Sequence, residues 1–380
     1  MSRARRLLPW LALAAVLIAI ALNFLNRHEP PGIDFHTYKA AAVVGLEQGW
    51  SRIYDQALVA VAQKQLDPGE VAQPFLSPPT VAWLAAVLVP VPYTPSYYIW
   101  AVLTLAAYAG ALAWSISSRG VDRWILVAAA IAPWWVLEAF RVGQVVPLVA
   151  ASLAVSWRLL REDRNVAAGF VLSLLLLKPN TAFVVPLAVL AAGRFRTFAT
   201  LSAVGAALAV VALVTVGGEG AFDYWSQLTG SLPTGANALT LESALGVRGP
   251  AITALRIVII VVVLVAAFRL RRTPGLVLVA GILGSLIAVP YLHASDLCLL
   301  AVAAVIVWEE RPALAWRVPV AAGWLLTSPY LIAMRLGPPL QRWPLAELAF
   351  LVGICVIAWR ADSSPHADKV VDADELPARS

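Results

Sequence analysis

Residues 250–272 read PAITALRIVIIVVVLVAAFRLRR, an apolar run from 250 to 268 that closes on Arg269, Arg271 and Arg272. About 20 apolar residues cross the hydrocarbon core of a bilayer as a helix. Arginines gathered at one end mark that end as cytoplasmic. Similar runs lie near 7–26, 78–92, 96–117, 124–140, 144–160, 166–178, 181–193, 197–217, 274–290, 297–308, 313–333 and 344–359. They are rich in Leu, Ala and Val without the alternation of strands, so helices rather than a barrel satisfy the backbone in lipid.

Composition agrees with that reading. Hydrophobic residues make up 61% of the chain and charged ones 13%, against about 25% charged in a soluble domain, and the mean hydropathy is +0.79. A soluble globule is excluded. Many of the 15 tryptophans stand near the ends of runs, as Trp10, Trp100, Trp157, Trp308 and Trp359 do, where membrane interfaces favour amphipathic rings. The net charge of +6 comes from short basic clusters between runs, the pattern of membrane-protein loops rather than of a nucleic-acid surface. Cys298 and Cys355 both fall inside apolar stretches, which leaves no disulfide framework or thiolate metal site.

The basic clusters set an expected topology. Arg3–Arg6, Arg158–Arg164, Arg194–Arg196, Arg269–Arg272, Arg311 and Arg360 fall inside. The first run, residues 7–25, reads as an uncleaved anchor. Lys178 with Asn180, the loop 217–250, the turn around His293 and the loop 335–343 fall outside. Both ends are then cytoplasmic, so one of the thirteen runs does not cross, and 78–92 and 124–140 are the candidates. The expected fold is an all-α, multi-pass plasma-membrane protein of about 12 transmembrane helices over residues 1–360. Short helices at 35–46 and 56–66 lie on the membrane surface within the first outer loop, 27–73. The acidic tail, 361–380, is disordered.

The polar residues at outer turns carry the chemistry. Asp34 precedes a helical pattern and is either an N-cap or a general base for an attacking alcohol. Lys178 either snorkels or meets an anion such as a lipid phosphate. Arg141, beside Gln144 in Arg141-Val142-Gly143-Gln144, suits forked phosphate contacts. His293 and Asp296 are three apart; Asp296 or Ser295 caps a helix, or His293 binds or protonates a phosphate oxygen. The other histidines form no ligand cluster, and a divalent ion between His36 and Asp34 lacks the oxygen ligands it needs. Gly-rich nucleotide loops and a GxSxG elbow are absent, so no nucleotide or other cofactor is expected.

In this order the motifs resemble glycosyltransferase family 87, the polytopic polyprenyl-phosphate-mannose-dependent mannosyltransferases of the GT-C class. The resemblance runs through Asp34-Phe35 with Tyr38 and Ala40–Ala42, Ile53-Tyr54-Asp55, Ser77-Pro78-Pro79 and Gly143-Gln144-Val145. It continues through Lys178-Pro179, Arg194-Phe195-Arg196, Tyr224-Trp225 and His293 near Asp296. The chain departs from it at Ser77, where relatives often carry an aromatic, and at Leu292 and Ala294, where they often carry a second histidine. The resemblance implies Asp34 as catalytic base and His293 in the site. It also implies inverting transfer of a hexose, mannose by analogy, from a polyprenyl-phosphate donor to a glycolipid or glycan hydroxyl at the outer face. Lys178, His293, Arg141 and Arg248 are the candidate phosphate ligands, with Tyr38, Gln144, Asn180 and Asp296 in support and no metal required. The competing reading is a lipid or solute transporter or flippase, which would show paired broken helices in repeated halves; no such repeat is visible.

Overall fold

The structure, a computed structural model, describes residues 32–69, 72–230, 239–311, 313–327 and 339–361, together with six positions between 10 and 18. Among the described residues every regular element is helical. Most of the expected anchor at 7–25, the first part of the loop 335–343 (335–338) and the tail beyond 361 lie outside them.

The loop after the first run forms two short helices, α1 (Ile33–Glu47) and α2 (Gln56–Leu66), close to the bounds expected. The expectation of surface helices fails for α1. Phe35, Tyr38, Ala40, Ala41, Ala42 and Val44 are all buried, because small alanines let α1 slot between α2 and α3 (Pro79–Ala86). Even Lys39 is 1% exposed. Its ammonium donates to Ser96 Oγ at 2.9 Å, to the Leu88 carbonyl at 3.1 Å and to that of Val91, so the cation ends on the carbonyls that follow a helix C-terminus.

The two candidates for the non-crossing run are both irregular. The eight residues of α3 reach only about 12 Å at 1.5 Å per residue. The 124–140 run is divided into α5 (Gly120–Ile131) and α6 (Trp134–Arg141), bent by 71°. Pro133 at the break removes a donor and directs the chain out of the helix.

Among the described residues four helices are long and apolar enough to cross a membrane: α4 (Tyr93–Ser115), α10 (Phe195–Gly230), α12 (Pro250–Arg269) and α16 (Trp343–Ala361); the bent pair makes a fifth. Helix length thus marks four to five of the about 12 spans expected. The remaining runs form α7 (Val146–Arg161), α8 (Asn165–Leu172), α9 (Val184–Ala191), α13 (Pro274–Ala288), α14 (Cys298–Glu310) and α15 (Leu314–Leu326). The loop expected from 217 is helical as far as Gly230, since α10 continues through a kink at Gly217; the short α11 (Leu241–Leu245) follows.

The core is built around α13, every residue of which after Pro274 is buried. It packs on α7, α9, α12, α14 and α16. Its glycines permit the close approach that apolar helices need when no water drives them together. A Cβ at Gly281 would stand 2.8 Å from Val185 Cα of α9, and one at Gly284 2.8 Å from Val263 of α12. Gly281→Val is therefore expected to lower stability by about 1–3 kcal/mol through overpacking, read as a fall in thermal midpoint in detergent. Gly110→Ala, in α4 with open space around it, should leave the midpoint unchanged or raise it.

Candidate active site

The motif Arg141-Val142-Gly143-Gln144 is a helix end. Gly143 N–H donates to the Phe140 carbonyl at 3.1 Å and Gln144 N–H to that of Ala139 at 2.8 Å, the paired bonds of a Schellman cap on α6. Gly143 has φ +72°, and a Cβ there would also stand 2.6 Å from Phe35 Cβ. Only glycine fits. Against this cap docks the start of α1, with Gly32 N–H donating to the Arg141 carbonyl and Asp34 N–H to that of Val142, each at 2.8 Å. Three aromatic residues of α4, at i, i+4 and i+7 on one face, hold the junction. Tyr93 donates to the Gly32 carbonyl at 3.1 Å, Tyr97 to Arg141 at 2.9 Å and Trp100 to Gly143 at 2.9 Å.

Gln144 is thereby aimed at α1. Its Nε2 donates to Asp34 Oδ2 at 2.8 Å, while its Oε1 accepts from Tyr38 and from Lys178, each at 3.0 Å. Two donors on the oxygen settle which way the amide faces. Asp34 is the second residue of α1 and Gly32 its N-cap, so the capping role open in the sequence is not the one its carboxylate plays.

Lys178 arrives from a broken helix. After α8 the chain tightens into a 3-10 turn over Ser173–Leu177 and stops at Lys178, with φ −148°; a second 3-10 turn covers Pro179–Thr181. The residue before a proline is driven out of the α region, which explains the break. Lys178 does not snorkel. Its side chain is 13% exposed and its Nζ lies 2.5 Å from Oδ1 of Asp296, which is wholly buried. Asp296 Oδ2 accepts from His293 N–H at 2.9 Å, capping the 3-10 turn Ala294–Leu297. His293 itself is exposed and its Nε2 meets the Tyr291 hydroxyl.

These contacts join α1, the α6–α7 link, the α8–α9 break and the α13–α14 link around one carboxylate. Desolvation by the surrounding protein raises the Asp34 pKa above the ordinary carboxylate value; Lys178, His293 and the Gln144 hydrogen bond pull it down, and Asp296 pushes it up. An ammonium has three donors. Gln144 and Asp296 take two from Lys178, so one remains for a ligand. Among the described residues no group of three or more His, Cys, Asp or Glu is placed to hold a metal ion.

The sequence pattern of glycosyltransferase family 87 matches residues 75–329. The chain belongs to glycosyltransferase family 87. No curated protein and no solved structure matches it. The matched stretch of this family 87 glycosyltransferase contains Gln144, Lys178, His293 and Asp296 but begins after Asp34. The carboxylate is tied to the matched stretch by its hydrogen bond to Gln144.

Of the residues singled out from sequence, Asp34, Tyr38, Gln144, Lys178, His293 and Asp296 come together in the glycosyltransferase. Arg141 lies beside them, but its guanidinium is engaged in a fork by Glu138, Nη2 at 2.7 Å and Nε at 3.0 Å, and its carbonyl does the positioning. Asn180 is half-buried in the 3-10 turn after Lys178. Arg248 stands apart between α11 and α12, exposed and 3.8 Å from Glu242. His36 is turned to α2, with Nε2 2.9 Å from the Gln63 carbonyl. Glu138 and the α4 aromatics were missed from sequence. Glu138 at i−3 to Arg141 was legible as a helical ion pair, and the Tyr93, Tyr97, Trp100 stripe as one helix face.

The Lys178–Asp296 pair gives a test of this arrangement. Lys178→Met strands a buried carboxylate and is expected to cost about 3–5 kcal/mol, measured by thermal unfolding of the purified protein. Adding Asp296→Asn, which removes the stranded charge, should recover most of that loss.

Proposed function

We propose that this glycosyltransferase transfers a hexose, mannose in the first instance, from a polyprenyl-phosphate sugar to a hydroxyl of a glycolipid or glycan, inverting the anomeric carbon. The reading places it in the plasma membrane, with the site facing the extracytoplasmic side and a GT-C arrangement of about 12 spans in which the short helices complete the bundle. The observation that carries it is the single amide of Gln144 separating Asp34 from Lys178. A base and a cation that close serve the two ends of one displacement.

Asp34 takes the proton of the acceptor hydroxyl as its oxygen attacks the anomeric carbon; the bond from that carbon to the phosphate oxygen breaks, and its electron pair leaves with the phosphate. A carboxylate desolvated as Asp34 is is a stronger base than one in water, as proton abstraction near neutral pH requires. Charge developing on the phosphate falls to the free donor of Lys178 and to exposed His293, which can hand it a proton. Asp34, Asp296 and Glu138 formally outnumber Lys178 and Arg141. An anionic donor therefore gains from the further positive charge that His293 supplies when protonated.

Purified protein in proteoliposomes with a radiolabelled polyprenyl-phosphate mannose and a membrane lipid extract should form a labelled product that depends on the protein. Movement of intact donor across the bilayer without product would instead favour a carrier. The acidic limb of kcat/KM against pH should lie above the ordinary carboxylate range, near 4, because Asp34 must be ionised to act. His293→Ala removes a group that lowers the Asp34 pKa and should move that limb to higher pH; Asp296→Asn removes one that raises it and should move the limb lower. Shifts of the same sign in both variants would exclude Asp34 as the titrating base.

The orientation has its own check. A cysteine at exposed Gln65 on α2 should react from outside intact cells with an impermeant thiol reagent, whereas one at Arg271, beyond the end of α12, should not. The reverse pattern would put the site on the cytoplasmic face.

A further inference from the structure

A second polar cluster lies at the other end of α6. Trp134 and Trp135 open that helix, and Trp343 opens α16. The Trp135 and Trp343 rings meet edge-on at 4.9 Å, and Trp134 adjoins Trp135 at 6.3 Å. Glu347 is one turn along α16 from Trp343 and so on the same face. It is 2% exposed, and the three tryptophans are 3–9% exposed. Among the described residues, neither carboxylate oxygen of Glu347 and none of the three indole N–H groups has a hydrogen-bond partner.

Five orphaned polar atoms on four buried residues are costly to keep. Their chemistry limits what could satisfy them. A hydrocarbon chain satisfies none. A cation would answer the carboxylate but not the indoles, which only donate, and an anion would answer the indoles but meet Glu347. A hydroxyl both donates and accepts, so a polyol satisfies all five. Indole faces add flat apolar surface for the C–H side of a sugar ring. Among the described residues no basic side chain belongs to the cluster, unlike the Lys178 end of the site, and this agrees with an uncharged ligand. Along α6, Glu138 and Arg141 lie between this cluster and Gln144, and the Trp135 and Trp343 rings bring α6 and α16 together here.

We propose that Trp134, Trp135, Trp343 and Glu347 form a subsite for a neutral saccharide, the hydroxyl-rich portion of the acceptor. Only the word acceptor rests on the transferase reading; the binding of a neutral sugar does not. A residue kept for binding at the expense of stability has a recognisable signature. Glu347→Leu removes the orphaned carboxylate and is expected to unfold at the same temperature as the wild type or higher, while losing the sugar.

Saturation-transfer NMR on the full chain in phospholipid nanodiscs, with methyl α-D-mannopyranoside as probe and inorganic phosphate as competitor, tests this. The wild type should give saturable transfer that phosphate does not displace. Glu347→Leu should weaken it roughly tenfold, the size of a lost hydrogen bond to a charged group. Trp343→Phe, which keeps a ring but loses the N–H, should weaken it several-fold, and Gly110→Ala, in open space on α4, should leave it unchanged. If Glu347→Leu does not fold, Trp343→Phe decides. Absence of transfer in the wild type, or undiminished transfer in the variants, overturns the proposal. Donor turnover with undiminished sugar binding in Glu347→Leu would reject the subsite and keep the transferase; sugar binding without turnover would do the reverse.

Discussion

The side-chain amide of Gln144 is the contact on which the site depends. An amide presents a donor and an acceptor on one planar group, and here the nitrogen faces Asp34 while the oxygen faces Tyr38 and Lys178. A carboxylate in its place would repel Asp34, and an apolar side chain would leave three buried polar groups short of a partner. Its position follows in turn from Gly143, whose left-handed backbone ends α6 and admits Phe35. Carboxylate, cation and helix end thus form one unit, and Asp296 fixes the far side of Lys178.

Breaks in helices are expensive where water is scarce, because freed backbone groups must find partners inside the protein. Each break around this site has them. The end of α6 is closed by its own cap and by α1. Lys178 N–H donates to the Leu175 carbonyl, and Val184 N–H at the start of α9 is met by Ser285 Oγ at 2.9 Å. The short helices are therefore the means by which polar side chains reach a common point in an apolar bundle. That explains why so many apolar runs are too short to cross alone.

Much of this was legible in the sequence, and the failures have a common cause. The helices of the first loop were bounded within two residues, since Asp55 and the Pro-Gly at 68–69 punctuate α2, and the outer-turn residues Asp34, Gln144, Lys178, His293 and Asp296 were gathered by placing polar groups at the ends of runs. Among the described residues helix length marks four to five of the expected spans, because an apolar run records burial, not length of helix; α13 is buried in protein, whereas much of α12 is not. Arg141 read as an anion ligand because its partner Glu138 sits inside an apolar run, where a single acid is easily passed over. The burial of α1 was missed because alanines and tyrosines look alike on a surface and between helices. Glu347 was missed for the same reason as Glu138.

The central claim is that Asp34 acts as a base and not as a structural anchor. Asn at this position keeps an oxygen to accept from Gln144 Nε2, so the hydrogen bond that seats α1 survives while basicity is lost. Single-turnover transfer from a polyprenyl-phosphate mannose by Asp34→Asn, with donor binding and thermal midpoint measured on the same preparation, tests it directly. The expected result is a rate lowered by about 10²- to 10⁴-fold with binding and midpoint close to wild type; transfer at near the wild-type rate by the folded variant would contradict the account.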